Sequence, residues 1–504
     1  MQGNIVSGER SLDMQTFHKR SAQAAYGLSS MGIGDGDSIA LMLRNDFPFL
    51  EVTFAASQIG AYSVPINWHY KEKETAYILE NSDAKILVVH SDLVPNLPST
   101  ITSTLKILAV TTPKEIIDAY SITNTDFTMP SQIIDWEKWR DEQLESEAPP
   151  LANRGSMIYT SGTTGNPKGV RRFPASNQLQ SAMMERLKLG FALQPGAKAL
   201  ITGPMYHSAP NAYARAIISL GGSLILMPKF DAQQCLQMIE HYSITHMHVV
   251  PTMFIRLLQL PEREKNKYNL SSLQSVVHGA APCPPEVKSE MIEWWGPIIH
   301  EYYGSTEAGL ITGVNSKEWL KEKGTVGKPL PETEVHILND EKNNLRAGAI
   351  GDIYVNLPTS PGFTYHKDSN KRKEIEVRGL ITNGDRGHLT ESGYLYLADR
   401  RANMVISGGV NIYPAEIESV LITMPGVQDC AVFGIPDAVF GEKLAAAVQV
   451  AEGAHLEESD IKNFIANHLA RFKIPKLIKF FSTLPREDSG KIFKRILRDN
   501  FLNH

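Results

Sequence analysis

The chain is poor in cysteine: Cys235, Cys283 and Cys430 are the only three among 504 residues. They are widely separated and form no CxxC, which argues against a disulfide framework or a thiolate zinc site and suits a reducing compartment. Basic residues are not in surplus. Lys and Arg number 50 against 55 Asp and Glu, a formal charge of −5, and no basic stripe marks a nucleic-acid surface. No apolar run is long enough to span a bilayer. Residues 1–17 lack the basic start and apolar run of a signal peptide. Phe501-Leu502-Asn503-His504 is not a peroxisomal tripeptide. The cytoplasm is the expected location, with no transmembrane segment; peripheral membrane contact stays open, and a homodimer is compatible with the sequence. Repeats and low-complexity tracts are also lacking. The remainder is an ordinary globular composition, 42% hydrophobic and 21% charged. Its length exceeds what one core supports, so two or more domains are expected.

Helix and strand signals alternate early. Residues 14–31 read as an amphipathic helix, 32–37 as a turn, 38–43 as a strand, 47–60 as a helix and 61–66 as a strand. Residues 86–90 and 106–110 read as further buried strands. The turn ends in Asp37 where a dinucleotide fingerprint needs glycine. Pro149-Pro150 closes an acidic stretch and reads as a linker. A second alternating stretch follows, with strands near 199–202, 223–227 and 246–250; a β-rich part begins at 353–356. From about residue 400 a unit on the usual domain scale carries its own signals. The alternation predicts an α/β fold with parallel sheets.

The richest stretch is YTSGTTGNPKGV, residues 159–170, directly after an apolar lead-in. Glycines Gly162 and Gly165 let a loop turn its N–H groups toward an anion. Hydroxyls at Thr160, Ser161, Thr163 and Thr164 can donate to phosphate oxygens, and Lys168 adds a point charge. It is not a Walker A loop: the glycines are too close, Pro167 precedes Lys168, and Gly169 follows it. A second cluster, Tyr302-Tyr303-Gly304-Ser305-Thr306-Glu307-Ala308-Gly309, sets a carboxylate beside a hydroxyl and glycines, which suits a Mg²⁺–phosphate contact. Taken alone, Glu307 would be only a helix N-terminal charge.

Together these motifs resemble the adenylate-forming superfamily: acyl-CoA synthetases, aryl-CoA ligases, peptide-synthetase adenylation domains and firefly-type luciferases. The resemblance runs from Tyr159 to Lys491 with the motifs in family order; residues before Tyr159 carry none. It implies that the loop holds the ATP phosphates, Tyr303 stacks on adenine, Thr306 touches the α-phosphate and Glu307 ligates Mg²⁺. Gly279-Ala280-Ala281 would flank the adenine, with Gly279 leaving room at the acyl pocket. Asp385 matches the family carboxylate that accepts the ribose hydroxyls, though Asn383 stands where the family has threonine. Arg400 matches an arginine contacting ribose and phosphate. Ser407-Gly408-Gly409 matches the loop lining the pantetheine tunnel. Lys491, after Gly490, matches the lysine that bridges substrate carboxylate and α-phosphate. His207 matches the acyl-pocket gate, and the pocket is expected to include Asn211, His248, Gly304 and Leu310. Ala402 stands at the hinge, where the family carries Asp or Lys.

The implied architecture is a large N-terminal domain, 1–399, of parallel-sheet α/β subdomains plus a β-rich part, followed by a small mobile α+β domain, 400–504. The implied activity is an ATP-dependent carboxylate–CoA ligase on a fatty or aromatic monocarboxylic acid, with ATP and CoA as cosubstrates and Mg²⁺ as cofactor. Adenylation for a carrier protein or a non-thiol acceptor, a luciferase-like oxygenase, and a non-catalytic binding protein remain as alternatives. Glu307, Asp385, Arg400 and Lys491 speak against the last.

Overall fold

The computed structural model describes residues 3–123, 130–160, 166–401, 403–407, 410–437, 439–486 and 492–502. The first helix, Met14–Ser30, starts where Asp13 accepts a hydrogen bond from the Thr16 N–H at 2.9 Å. It buries Phe17, Ala24, Ala25 and Leu28, at helical spacing, against the helix Phe47–Gln58. Beneath them lies an all-parallel sheet in the order Tyr62–Pro65, Ser38–Met42, Ala84–His90, Lys106–Val110, Ile134–Asp135. Ser38–Met42 is buried throughout, as a strand covered on both faces must be.

A nine-stranded sheet follows, in the order Lys328–Pro329, Gly309–Asn315, Ile299–Ser305, Ser275–His278, His246–Val249, Lys198–Ile201, Ser223–Leu226, Asn4–Ser7, Arg10–Asp13. The strands from Ile299–Ser305 through Asn4–Ser7 run parallel. Helices such as Ser208–Ser219 and Pro251–Leu258 cover the sheet, so the two large subdomains share the doubly covered parallel design expected from the sequence. The pair Asn4–Ser7 and Arg10–Asp13 is a finding the sequence reading missed. These strands are four residues each; Asn4–Ser7 pairs with Ser223–Leu226, more than 200 residues away, and Arg10–Asp13 pairs antiparallel with Asn4–Ser7 at the edge.

The β-rich part begins earlier than residue 353. Glu334–Leu338 already pairs antiparallel with Gly351–Asn356, which pairs in turn with Leu380–Leu389. Glu334–Leu338 is an edge strand with one exposed end, which leaves it no continuous apolar run to read. Beyond residue 400, a smaller sheet of Val410–Ile412, Val405–Ser407, Gly441–Val450, Val427–Asp437 and Leu477–Phe481 carries two apolar clusters of its own. The chain therefore folds as a large N-terminal α/β part and a small C-terminal α+β part. Among the described residues no helix is long and apolar enough to cross a membrane.

Candidate active site

Lys198–Ile201, His246–Val249, Ser275–His278 and Ile299–Ser305 all end on one side of the large sheet. Crevices at the carboxyl ends of parallel strands are where open α/β sheets bind ligands. The loops leaving these ends carry the residues singled out in the sequence. Gly279 is buried, and Ala280 sits at φ 67°, a left-handed conformation that costs an alanine free energy and clusters at functional sites. Ala281 is half-buried beside them.

Ile299–Ser305 turns back into Gly309–Asn315 through Thr306 and Glu307. The turn is tight at Gly304, where a Cβ would stand 2.2 Å from the Gly309 carbonyl oxygen. Arg172 donates to the Thr306 carbonyl at 2.6 Å. Burial pushes the Arg172 guanidinium down, against the pull of Glu307. The Thr306 hydroxyl lies 3.2 Å from Ser208 Oγ, at the N-terminus of the helix Ser208–Ser219. His207 is that helix's capping residue, its ring 4.3 Å from Tyr206. Glu307 accepts from the Tyr365 hydroxyl at 3.1 Å and, at a long 3.5 Å, from the Thr160 hydroxyl. Burial, then Glu307, holds the Tyr365 phenol well above its usual range.

Thr160 and Lys168 face each other across a hairpin of Ile158–Thr160 and Lys168–Arg172. The hairpin gains a third strand, Phe363–Tyr365, which brings Asp368 to 2.8 Å from Lys168 Nζ. Both ends of the glycine-rich loop are thus anchored next to Glu307. Ser161, Gly162, Thr163, Thr164 and Gly165 themselves lie outside the described residues, as do Ala402, Gly408, Gly409 and Lys491.

On the other side of the turn, the Tyr303 hydroxyl donates to Asp385 Oδ2 at 2.7 Å, and Arg400 Nε lies 3.3 Å from Asp385 Oδ1. Burial and then Asp385 raise the Tyr303 phenol well above its usual range, so it stays a donor. Asn383 accepts from the Ser305 hydroxyl at 2.8 Å, and Ser305 accepts from the Ala308 N–H at 2.9 Å. The departure at Asn383 therefore serves a bridge inside the protein. Ser407 ends the strand that pairs with Val410–Ile412 and meets Gly441.

The expected acyl-pocket residues divide in two. Asn211, His248 and Leu310 are buried behind the turn, His248 Nε2 lying 3.0 Å from the Tyr302 hydroxyl. His207 and Gly304 lie at its rim. The space at Gly279 is taken by the Tyr302 ring: a Cβ there would stand 2.6 Å from it. Arg172, Tyr365 and Asp368 went unread in the sequence, and Tyr302 and Ser208 stood in the motif segments without a role of their own. Of the unread three only Arg172, closing GVRR directly after the loop, carried a local signal.

Glu307 fits a magnesium ion arriving with nucleotide, since such an ion takes one or two carboxylates plus phosphate oxygens. Among the described residues no group of three or more acidic, histidine or cysteine side chains could hold a metal by itself.

The AMP-binding enzyme profile matches residues 4–360, and the AMP-binding enzyme C-terminal domain profile matches residues 416–491. The chain is 31% identical to a long-chain-fatty-acid–CoA ligase of Bacillus subtilis, over 97% of this chain and 90% of that protein. It is also 31% identical to a 2-succinylbenzoate–CoA ligase of Bacillus licheniformis, over 98% of this chain and 96% of that one. Its fold superposes on ATP-bound MatB from Rhodopseudomonas palustris with a TM-score of 0.83 and 26% identity, covering 99% and 96% of the two chains.

Proposed function

The chain belongs to the AMP-binding enzyme family, and from that premise we propose that it is an ATP-dependent carboxylate–CoA ligase acting on a fatty or aromatic monocarboxylic acid. The observation that carries this reading is a convergence. The loop anchor Thr160 meets Glu307 on one side of the 302–309 turn, with Lys168 paired to Thr160 across the hairpin, and Asp385 with Arg400 meets Tyr303 on the other. On this reading the polyphosphate lies on the Glu307 side and the ribose on the Asp385 side.

A free carboxylate acylates poorly because oxide is a bad leaving group. In the first step a carboxylate oxygen attacks the α-phosphorus of ATP, and pyrophosphate leaves. Negative charge gathers at that phosphorus, where fixed donors stabilise it most. Thr306 at the α-phosphate, Lys168 and the loop hydroxyls at the β- and γ-phosphates, and Lys491 at the attacking carboxylate supply them. Glu307 would hold Mg²⁺, which neutralises phosphate charge when bound. Asp385 accepts from the ribose hydroxyls, Arg400 supports it, and Tyr303 offers its ring to adenine between them. In the second step the CoA sulfur attacks the acyl carbon and AMP leaves with the C–O bond electrons.

The sulfur must arrive where Lys491 stood, so the small domain has to move between steps, a hinge motion. We place the hinge at Ala402, the domain boundary at 399/400, and the thiol path along Ser407, Gly408 and Gly409. Three separated cysteines suit a reducing, cytoplasmic setting. The test is acid-dependent exchange of pyrophosphate into ATP over a panel of fatty and aromatic acids. Exchange with at least one acid is expected; none across the panel contradicts the reading.

A further inference from the structure

The strand Phe363–Tyr365 lies against the phosphate-loop hairpin with Tyr365 opposite Val170, and the His366 N–H continues the pairing to the Gly169 carbonyl at 2.8 Å. Val170 is two residues on from Lys168, and Lys168 is paired with Thr160. Side chains alternate along a strand, and directly opposite residues share a face. Thr160, Lys168, Val170 and Tyr365 therefore stand on one face of this three-stranded sheet. Glu307 lies over that face: the Tyr365 hydroxyl donates to its Oε1 at 3.1 Å, and the Thr160 hydroxyl reaches it at 3.5 Å. Lys168 Nζ stands over the Tyr365 ring, 5.8 Å from its centroid. One side chain thus meets a carboxylate with its hydroxyl and an ammonium with its face.

The cations near Glu307 are engaged elsewhere. Arg172, which feels the Glu307 charge, donates to the Thr306 carbonyl at 2.6 Å, and Lys168 pairs with Asp368 at 2.8 Å. Asp368 is itself fixed, accepting from the Lys371 N–H at 3.1 Å. The segment between Tyr365 and Asp368 is pinned to the first subdomain: His366 Nε2 lies 3.1 Å from one oxygen of Asp83, and Lys367 Nζ 2.6 Å from the other. Asp83 and Lys367 both hold a left-handed backbone, at φ 53° and 58°, which is uncommon outside glycine. Among the described residues Glu307 makes no ion pair; its donors are hydroxyls, with Tyr365 the nearer. A phenol is neutral at pH 7, so it orients the carboxylate without cancelling its charge.

We infer that Tyr365 is a positioning residue for nucleotide binding: its hydroxyl aims the Glu307 carboxylate, charge uncancelled, at the magnesium ion that arrives with ATP. The inference rests on the ligase reading and adds to it a residue that acts through Glu307. Lys168 springs from the position opposite Thr160, which already reaches Glu307, so the two opposite charges are within range of one another. A direct pair between them would take a cation from the phosphates and a carboxylate from the metal at once. The Tyr365 hydroxyl on Glu307 and Asp368 on Lys168 hold the two charges apart.

The test is calorimetric and needs neither an acid substrate nor turnover. Wild type and Tyr365→Phe are titrated with α,β-methylene-ATP, which lacks the bond the reaction breaks, in Mg²⁺ and again in EDTA, and separately with AMP. Wild type should bind the analogue at least about tenfold more tightly in Mg²⁺ than in EDTA. Tyr365→Phe keeps the ring and loses the hydroxyl. Its Mg²⁺-dependent gain should fall at least about fivefold, the scale of one hydrogen bond, while its affinity for AMP and for the analogue in EDTA stays within about twofold. In a Glu307→Gln background the same change should lower the gain no further. If Tyr365→Phe does not fold, Tyr365→Met carries the comparison. No Mg²⁺-dependent gain in wild type, an unchanged gain in the variant, an equal loss of AMP affinity, or a further loss in the Glu307→Gln background each overturns the inference. A wild type that binds neither AMP nor the analogue overturns the ligase reading with it; a wild type that binds both, with the gain kept in Tyr365→Phe, overturns the inference alone.

Discussion

Single residues in this site are held by partners far away in sequence. Glu307 is held by Tyr365 and Thr160, 58 and 147 residues distant. Its identity as an acidic group after a hydroxyl could be read locally, but its hydroxyl partners could not. Glu307→Gln keeps the shape and removes the charge that a metal ligand needs. We expect a raised Mg²⁺ requirement and at least a tenfold loss in pyrophosphate exchange, seen by titrating Mg²⁺ at saturating ATP. An unchanged Mg²⁺ curve would remove Glu307 from the metal site.

A second residue-scale prediction lies away from the site. Burial, with help from Asp135, pushes the Glu137 carboxyl up to about 7 from its ordinary 4.5, and its Oε2 is buried without a hydrogen bond. Between those values the folded chain holds a proton that the unfolded chain has lost, so stability falls as pH rises from about 4.5 to about 7 and levels off above. The cost is at most on the order of 3 kcal/mol. Glu137→Gln should therefore raise the Tm at pH 8 and change it little at pH 4.5. An equal Tm gain at both pH values would contradict this assignment.

At the scale of elements, the 302–309 hairpin ties the Glu307–Thr160 side of the site to the Tyr303–Asp385 side. Its turn leaves no room at Gly304, where the nearest atom to an added Cβ is backbone, the Gly309 carbonyl oxygen. Gly304→Ala must open the turn. We expect a cost of about 1–3 kcal/mol, as for overpacking elsewhere, together with a raised KM for ATP. Thermal unfolding and ATP titration measure the two; an unshifted Tm would mean the turn yields freely.

Strong periodic elements were legible in the sequence. The helix expected at 14–31 is Met14–Ser30, and the strand expected at 106–110 is Lys106–Val110. Weak ones were not. Glu334–Leu338 is an edge strand, and Asn4–Ser7 is four residues long and gains its stability from a strand it meets only in three dimensions. The candidate site was legible where a motif is contiguous, as at Tyr303 to Glu307. It was illegible where contacts join distant segments, as between Asn383 and Ser305 or between Tyr302 and His248.

At the scale of the whole molecule, the question is how the small domain is joined to the large one. Arg401 binds Asp352 at 2.6 Å and Asp340 at 2.7 Å, fixing the chain to the large domain just before Ala402. On the far side the Asn403 N–H returns to the Arg400 carbonyl at 2.9 Å. Asp399 receives the N–H of Ala415, at the start of the small domain's helix Pro414–Leu421. Arg401 and Asn403, the neighbours of Ala402, are thus both held, and the hinge is proposed between them. Proline there fixes φ and removes a donor. We expect Ala402→Pro to separate the half-reactions, keeping adenylation and losing thioester formation by at least tenfold. Single-turnover rates for each step are the check, and normal rates for both would move the hinge elsewhere.

The central claim is that one site makes an acyl-adenylate and then passes the acyl group to CoA. The most direct measurement is a single-turnover reaction with α-³²P-labelled ATP and an acid that supports pyrophosphate exchange, with CoA added after the first phase. The account predicts labelled acyl-adenylate on the enzyme before CoA, then AMP and acyl-CoA in equal amounts after it. Adenylate that persists undiminished in saturating CoA, or AMP released without acyl-CoA, would contradict it.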